Sequence, residues 1–309
     1  MRVVIVGPGA MGCLFAALFT KKKLAEVWLL DKDPKRAKKI SEAGITVEGL
    51  GQTFNQKVNI TAEIKDIPAC DLVILSVKSY DTEAAIKTIE SLLVKDTNVL
   101  SLQNGLGNIE MISELVDKDQ VLGGVTSNGA TLITDGHIRF CGKGETVIGK
   151  IGGRLTVPMR AIRELFNKAG FSTRLSKDIN GIIWSKLIIN VGINALSALT
   201  RLPNGQLIES PGTREILSLV VTEAVKIAKK KRIKLIYDDP IQKVESVCKA
   251  TAGNLCSMLQ DVLKKRKTEV DYINGAIVRQ GKSLSIPTPA NMILTDLIKA
   301  IESAYTQQI

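Results

Sequence analysis

The sequence predicts two domains, an α/β domain built on a parallel sheet and an all-helical domain that follows it. Strand-like and helix-like segments alternate from residue 3 to about residue 176, and such alternation is typical of a parallel sheet covered by helices. After that point only helical patterns follow. A chain of 309 residues also exceeds one typical core. We therefore predict domains at residues 1–176 and 177–309.

A glycine-rich turn follows the first predicted strand. The β-branched run at residues 3–6 leads into a turn that opens an apolar helix, and a second strand comes next; the turn residues are Gly7, Pro8, Gly9, Ala10, Met11 and Gly12. In this context the glycines let the backbone approach a pyrophosphate at the positive N-terminus of the helix. The pattern predicts a Rossmann-type dinucleotide-binding domain.

The residues after the second strand leave the choice of nucleotide open. Asp31 stands where a carboxylate binds the adenosine ribose hydroxyls and disfavours a 2′-phosphate, which favours NAD(H). Lys32 and Arg36 follow closely and are able to pair with a 2′-phosphate, which favours NADP(H).

Two further polar residues follow later strands of the predicted sheet. Lys78 and Asn104 lie just past strand ends, where parallel sheets bind their ligands, although both also fit exposed loops. Between residues 130 and 148 the pattern changes to short alternating runs around an Asp-Gly turn, which predicts a hairpin. We expect this hairpin to extend the sheet, with His137 as a surface residue.

Composition argues against several classes of protein. The formal net charge of +11 predicts attraction to polyanions, but the lysine runs fit helix ends, aromatic residues are only 4%, and no nucleic-acid-binding motif occurs. The five cysteines show no metal-ligand spacing, and we expect neither a leader nor a membrane-spanning segment. We therefore expect a cytoplasmic protein with free thiols, no metal, no nucleic-acid partner and no membrane partner.

The predicted helix at residues 178–199 carries an unusual polar row. Lys186, Asn190 and Asn194 are spaced four apart in an otherwise apolar segment, so they lie along one inclined row. Such a row also fits a lysine that reaches water and asparagines that bond to the backbone.

A dehydrogenase needs a proton donor for the alkoxide that hydride transfer leaves. His137 is the only histidine and is poorly placed, and no tyrosine-x-x-x-lysine pair occurs. Lys186 is therefore the leading donor, because burial would lower its pKa toward neutrality. Its acidic partner is either Glu269 or Asp271, between which spacing does not choose.

Several motifs, in this order, resemble those of the ketopantoate reductase (2-dehydropantoate 2-reductase) family, within the 6-phosphogluconate-dehydrogenase-like superfamily. The motifs are GPGAMG at 7–12, SVKSYDT at 76–82, QNGLGN at 103–108, WSKLIINVGINALSAL at 184–199, SMLQD at 257–261, TEVDYINGAIV at 268–278 and PTPAN at 287–291. The resemblance covers essentially the whole chain.

The resemblance implies a role for each candidate residue. It makes Lys186 the general acid and Glu269 the carboxylate that orients it and binds substrate. It places Asn104 near the nicotinamide and the reacting carbonyl, and Lys78 near the cofactor. The remaining implied substrate-binding residues are Asn190, Asn194, Asn204, Asn254 and Ser257. Family members typically prefer NADPH and often have a basic or small residue where Asp31 stands.

The expected reaction is reduction of ketopantoate to (R)-pantoate by NADPH or NADH, in the synthesis of pantothenate and coenzyme A. One alternative is a related reductase of another branched 2-keto acid or an opine-type imine. Another, from a different class, is a non-catalytic protein that senses NAD(P). The superfamily's helical second domains also lead us to expect a homodimer.

Overall fold

The computed structural model describes residues 1–307, with residue 52 described by its backbone alone. The chain forms two compact units. The first contains residues 1–103 and 108–179, and the second contains residues 104–107 together with the helical chain from residue 180 onward. The prediction of an α/β domain followed by a helical domain is confirmed. The short segment 104–107 departs from a simple division in chain order, because it packs with the helices.

Twelve strands and eleven α-helices make up the regular structure of the described residues. The strands are β1 (Arg2–Val6), β2 (Glu26–Leu30), β3 (Ile45–Gly49), β4 (Gln52–Gln56), β5 (Asn59–Thr61), β6 (Leu72–Leu75), β7 (Asn98–Ser101), β8 (Val121–Thr126), β9 (Gly129–Thr134), β10 (His137–Gly142), β11 (Thr146–Gly149) and β12 (Thr173–Ser176). The helices are α1 (Ala10–Lys21), α2 (Pro34–Ala43), α3 (Thr82–Ile89), α4 (Asn108–Leu115), α5 (Val157–Ala169), α6 (Ile179–Thr200), α7 (Pro211–Lys230), α8 (Pro240–Ala250), α9 (Ser257–Leu263), α10 (Asn274–Ser283) and α11 (Pro289–Ser303).

The main sheet of the first unit has eight strands in the order β12-β11-β8-β7-β6-β1-β2-β5. Its strands are parallel from β8 to β5, and β11 runs antiparallel to β8. The central strands are buried along their whole length, as expected for apolar strands covered on both faces. Their carboxyl ends therefore meet along one edge, where this class of sheet binds ligands.

An aromatic cluster holds α1 and α5 together in the first unit. The Phe15 ring lies edge-on to Phe166 and Phe171, with centroids 5.4 and 5.0 Å apart. Phe19 meets Phe166 in the same way at 5.1 Å. Pairs of this geometry add about 0.5–1.5 kcal/mol each beyond the area they bury. The cluster fixes α1, and with it the glycine-rich turn that precedes the helix.

The predicted sheet extension around His137 is wrong. The β9–β10 hairpin belongs to a separate four-stranded sheet in the order β4-β3-β10-β9. Strand β10 pairs in parallel with β3, so that His137 lies opposite Thr46. The β3–β4 hairpin supplies an edge for this pairing. Strand β11, at the end of the same region, joins the main sheet, where it runs antiparallel to β8. His137 is half-buried and its Nε2 lies 3.3 Å from the Glu48 carboxylate.

Helix α6 forms the core of the second unit. Its apolar residues pack with those of α7 and α8, and Gly192 permits the close approach, because a Cβ there would lie 2.9 Å from both Val221 and Val244. By length and hydropathy α6 would be able to cross a membrane, yet 72% of its most apolar window is buried in the protein. A buried core helix has the same composition as a spanning one.

Two helical boundaries in the second unit differ from the sequence prediction. The helix predicted to run to Cys256 ends at Ala250, because the carbonyls of Ala252 and Asn254 accept hydrogen bonds from Gly205 and Asn204 instead of continuing the helix. A short helix, α9, then follows.

The helix predicted from Thr268 begins only at Asn274. The carbonyl of Tyr272 accepts a hydrogen bond from the backbone N–H of Leu106, and residues 270–272 form a 3₁₀ turn. This turn comes directly after Glu269.

Candidate active site

The glycine-rich turn has the shape required to receive a pyrophosphate. Gly7 has φ +99°, and a Cβ on Gly12 would lie only 2.0 Å from the Gly7 carbonyl oxygen. Gly9 begins α1 without a side-chain cap, so no side chain competes for the N–H groups of the first turn. Beside the turn, the buried Ser76 Oγ has no hydrogen-bond partner in the described part of the chain. These features fit a dinucleotide phosphate.

Asp31 and Arg36 form a closed ion pair at the end of β2. Arg36 donates to both carboxylate oxygens, from Nε to Oδ2 at 2.6 Å and from Nη2 to Oδ1 at 2.5 Å. The backbone N–H of Asp33 donates to the same carboxylate at 3.1 Å. The Asp31 side chain has no exposed surface, whereas 29% of the Arg36 side chain is exposed. The hydrogen bonds to Asp31 raise the pKa of Arg36.

The other cation at this end of the sheet is also paired. Lys32 Nζ lies 3.0 Å from Asp81 Oδ1, but its side chain is largely exposed. The surface at the end of β2 therefore presents two cationic groups and covers the Asp31 carboxylate.

A buried polar network joins the ends of β6 and β7. Gln103 Nε2 donates to the Val77 carbonyl at 3.1 Å and to Thr82 Oγ1 at 2.7 Å. Thr82 in turn donates to Asn108 Oδ1 at 3.0 Å. Lys78 lies half-buried in the first of the joined loops. Sequence reasoning identified Lys78 but not Gln103 or Thr82, since only the fold shows that their loops meet.

Lys186, Asn104 and Glu269 meet within the second unit. Lys186 Nζ donates to Asn104 Oδ1 at 3.0 Å, and Asn104 Nδ2 donates to Glu269 Oε2 at 3.4 Å. Glu269 is 4% exposed and Lys186 is partly buried. Residues 82 and 165 positions apart in sequence thus form one hydrogen-bonded group.

Gly105 makes this meeting possible. It has φ +85°, and a Cβ there would lie 2.3 Å from the Tyr272 carbonyl oxygen. The backbone N–H of Leu106 donates to that same carbonyl at 2.9 Å. The glycine therefore lets the loop carrying Asn104 lie against the turn that follows Glu269.

Burial and a nearby carboxylate act in opposite directions on Lys186. Desolvation lowers the pKa of Lys186 from 10.5 to about 8, and the charge of Glu269 offsets only part of that shift. At neutral pH the side chain is therefore an ammonium that gives up its proton more readily than an exposed lysine. This is the property that a general acid near neutral pH requires.

Asp271 takes a different partner. Its carboxylate lies 2.6 Å from Lys299 Nζ on α11, at a partly exposed position. Spacing left the choice between Glu269 and Asp271 open. The geometry favours Glu269, because its charge acts on the pKa of Lys186 whereas Asp271 is paired with Lys299.

The remaining predicted substrate residues lie on three segments of the second unit. Asn190 is half-buried and Asn194 is buried, one and two turns after Lys186 on α6. Asn204 donates from Nδ2 to Thr251 Oγ1 at 2.9 Å and from its backbone to the Asn254 carbonyl at 3.0 Å, while its buried Oδ1 has no partner among the described residues. Asn254 and Ser257 are exposed on the segment that begins α9.

Two family models match the chain. Residues 3–153 match the model described as ketopantoate reductase PanE/ApbA, and residues 178–302 match its C-terminal counterpart. The chain is 36% identical over 305 residues to the 2-dehydropantoate 2-reductase of Pyrococcus horikoshii, covering 98% of each. It is 33% identical to that of Halobacterium salinarum, covering 97% of this chain and 98% of the relative.

Solved structures give the same picture of the fold. A PanE/ApbA family ketopantoate reductase from Ralstonia eutropha matches with a TM-score of 0.91 and 32% identity, covering 99% of this chain and all of that one. A D-mandelate dehydrogenase in complex with NADH and anilino(oxo)acetate matches with a TM-score of 0.92 and 29% identity, over the same shares.

Proposed function

The chain belongs to the ketopantoate reductase family, and we propose that it works through a proton donor, Lys186, held by Asn104 and Glu269. It is an oxidoreductase that reduces 2-dehydropantoate. The observation that carries the proposal is the hydrogen-bonded group formed by these three residues, in which burial lowers the pKa of the lysine to about 8.

A nicotinamide cofactor supplies the hydride when bound, and the residues of the glycine-rich turn would hold its pyrophosphate. As the carbonyl carbon of the substrate takes the hydride, its oxygen takes a proton from the Lys186 ammonium. The lysine is left neutral and regains a proton from water. Asn104 and Glu269 direct the ammonium throughout, and the negative charge of Glu269 favours its protonated form.

The substrate carboxylate and hydroxyl need polar partners. We assign them to Asn190 and Asn194, which follow Lys186 on α6, and to Asn204, Asn254 and Ser257. The buried Asn204 Oδ1 supports this assignment, because an unpaired buried acceptor is costly unless a ligand hydroxyl donates to it.

NADP(H) is the proposed cofactor. The Asp31 carboxylate is covered and neutralised by Arg36, so it is poorly placed to accept from ribose hydroxyls. Arg36 keeps unused N–H groups, and Lys32 is exposed beside it, so that both are able to bind a 2′-phosphate. Lys78, past the end of β6, is the further cofactor contact that we propose.

The test is steady-state oxidation of NADPH and of NADH by the purified protein with 2-dehydropantoate. Saturable turnover with a higher kcat/KM for NADPH is the expected result. If both nucleotides bind but neither is oxidised, the assignment of 2-dehydropantoate as substrate would be overturned. That result would favour the alternative of a non-catalytic protein that senses NAD(P).

A second candidate substrate has a specific observation in its favour. The D-mandelate dehydrogenase structure is as similar in fold as the ketopantoate reductase structures. The substrate panel should therefore include the 2-keto acid that corresponds to mandelate, other branched 2-keto acids and an opine-type imine. A kcat/KM for any of these above that for 2-dehydropantoate would reassign the enzyme.

We also propose a cytoplasmic homodimer that contributes to pantothenate and coenzyme A synthesis. Met292, Ile293 and Leu297 are exposed within two turns of α11, which supports an apolar contact between copies of the chain. The five free cysteines suit a reducing compartment. Light scattering after size exclusion tests the dimer, and a mass of 33.5 kDa would contradict it.

A further inference from the structure

The segment between α7 and α8 makes two hydrogen bonds to a single residue of α6. The backbone N–H of Ile236 donates to Ser185 Oγ at 3.0 Å, and the Tyr237 hydroxyl donates to the Ser185 carbonyl at 2.7 Å. Ser185 Oγ donates in turn to the Gly181 carbonyl, also at 2.7 Å. Ser185 is 1% exposed, so both of its polar groups are held inside the protein.

This segment is itself anchored at both ends. Ile233 and Leu235 pack against the apolar core of the helical unit, and the Ile233 N–H donates to the Ala228 carbonyl at the end of α7. At the other end, the Asp239 side chain accepts from the Gln242 N–H and caps α8. The two bonds to Ser185 therefore come from a fixed support rather than from a loose loop.

The phenol of Tyr237 is a permanent donor. Burial raises the pKa of Tyr237 above its usual value of 10.0, so the hydroxyl stays protonated wherever the enzyme works. The bond to the Ser185 carbonyl consequently does not switch with pH. Its effect on the helix is constant.

We infer that Tyr237 is a positioning residue for the reaction, which fixes the turn of α6 that carries Lys186. Ser185 immediately precedes Lys186, so the two bonds to Ser185 set the rotation and height of the backbone from which the lysine reaches Asn104. A displacement of about 1 Å at reacting groups is able to cost about 10²-fold in rate. Tyr237 itself takes no part in proton transfer.

The inference rests on the proposed role of Lys186 as the proton donor. The substitution Tyr237→Phe keeps the ring and removes only the hydroxyl. We expect kcat for 2-dehydropantoate to fall about 10-fold with the NADPH Kd unchanged within about twofold, because the lysine is misplaced by a fraction of an ångström. We also expect the alkaline limb of the kcat/KM profile to move to higher pH, since a looser turn admits water to the ammonium.

The matched control is Tyr305→Phe. Tyr305 makes the same kind of bond in the same unit, from its hydroxyl to the Arg266 carbonyl at 2.9 Å, and this acceptor lies outside α6. This control should keep kcat and the pH profile within about twofold of wild type. A second variant, Ser185→Ala, removes the bond to Ile236 and should move kcat and the alkaline limb in the same direction as Tyr237→Phe.

The inference would be overturned if a folded Tyr237→Phe variant kept the wild-type kcat and the alkaline limb of its kcat/KM profile did not move. Equal losses in the two tyrosine variants would also overturn it, because they would show a general effect on stability. If the wild type turns over 2-dehydropantoate, the proposed function holds, and either of these results counts against the role of Tyr237 alone.

The inference can also be tested without measuring activity, which is needed if the wild type does not turn over 2-dehydropantoate. NMR of nitrogen-15-labelled lysine side chains, with the Lys186 signal assigned by its loss in Lys186→Met, follows the titration of Lys186 directly. A higher pKa for Lys186 in Tyr237→Phe than in wild type supports the inference. An unchanged pKa contradicts it.

Discussion

The two units of this protein build their sites in different ways. In the first unit the proposed phosphate-binding turn is made of backbone, and its shape depends on glycines close together in sequence. In the second unit the proposed catalytic group is made of side chains from three distant segments, which meet only in the folded chain. The first kind of site depends on the absence of a Cβ, and the second on exact distances between charged and polar atoms.

This difference predicts how each site fails. A backbone site should lose binding when one methyl group is added, without any effect on proton transfer. A side-chain site should lose turnover when one functional group is removed, and keep its affinity for the cofactor. The following variants sharpen that comparison, beginning with the largest effect.

Lys186→Met should lower kcat by about 10³-fold, because general acid catalysis contributes about 10²–10⁴-fold. The NADPH Kd, measured by calorimetry, should stay within about twofold of wild type. Lys264→Met removes another lysine of the helical unit whose pKa is lowered by burial, and serves as the control. A Lys186→Met enzyme with more than a tenth of the wild-type kcat would disprove the assignment.

Gly12→Ala should raise the NADPH Kd by about 10²-fold, because the new Cβ would lie 2.0 Å from the Gly7 carbonyl oxygen and the turn must shift. At saturating cofactor its kcat should recover to near the wild-type value. Gly142→Ala adds the same methyl group where nothing lies within 4 Å and is the matched control. Equal Kd values for the two variants would contradict the backbone account of this site.

Arg36→Ala should raise the NADPH Kd about 10-fold and leave the NADH Kd unchanged or lower. It removes a charge-assisted partner for the 2′-phosphate, worth about 1.5–3 kcal/mol, and uncovers the Asp31 carboxylate. Lys39→Ala removes an exposed cation from the same helix and controls for net charge. If both variants weaken NADPH equally, Arg36 has no specific role.

The smallest expected effect is on stability. Above about pH 8 the folded protein has lost the Lys186 proton, whereas an unfolded lysine keeps it to about pH 10.5. The unfolded state then binds more protons, so the free energy of unfolding rises with pH in this window. Relative to Lys186→Met, wild type should gain about 1 kcal/mol between pH 8 and about pH 9 in urea titrations. A constant difference would mean that burial does not lower this pKa.

Local signals in the sequence predict the fold class and the elements that carry the first kind of site. The glycine-rich turn, the parallel strands and the row begun by Lys186 each follow from neighbouring residues, and the fold class is confirmed. The pairing of β10 with β3 is not local, and for that reason the sequence prediction that the hairpin around His137 extends the main sheet is wrong.

The sequence also does not predict which polar side chains pair with one another. The sequence presents Asp31 and Arg36 as rival determinants of the nucleotide, but the turn and helix between these residues, which lie five positions apart, bring them into one ion pair. The bond from Tyr237 to Ser185 spans 52 positions and has no motif. Spacing does not choose between Glu269 and Asp271, and only the family resemblance favours Glu269 at the level of sequence. The structure adds that Asp271 forms an ion pair with Lys299.

The pH dependence of kcat/KM for 2-dehydropantoate, at saturating NADPH, tests the central claim that the Lys186 ammonium is the proton donor. A donor must be protonated to act, so activity should fall as pH rises through an apparent pKa of about 8. The account predicts that limb in wild type and its absence from the residual activity of Lys186→Met. A wild-type profile that stays flat from pH 7 to about pH 10, the range over which such a lysine would titrate, would contradict it.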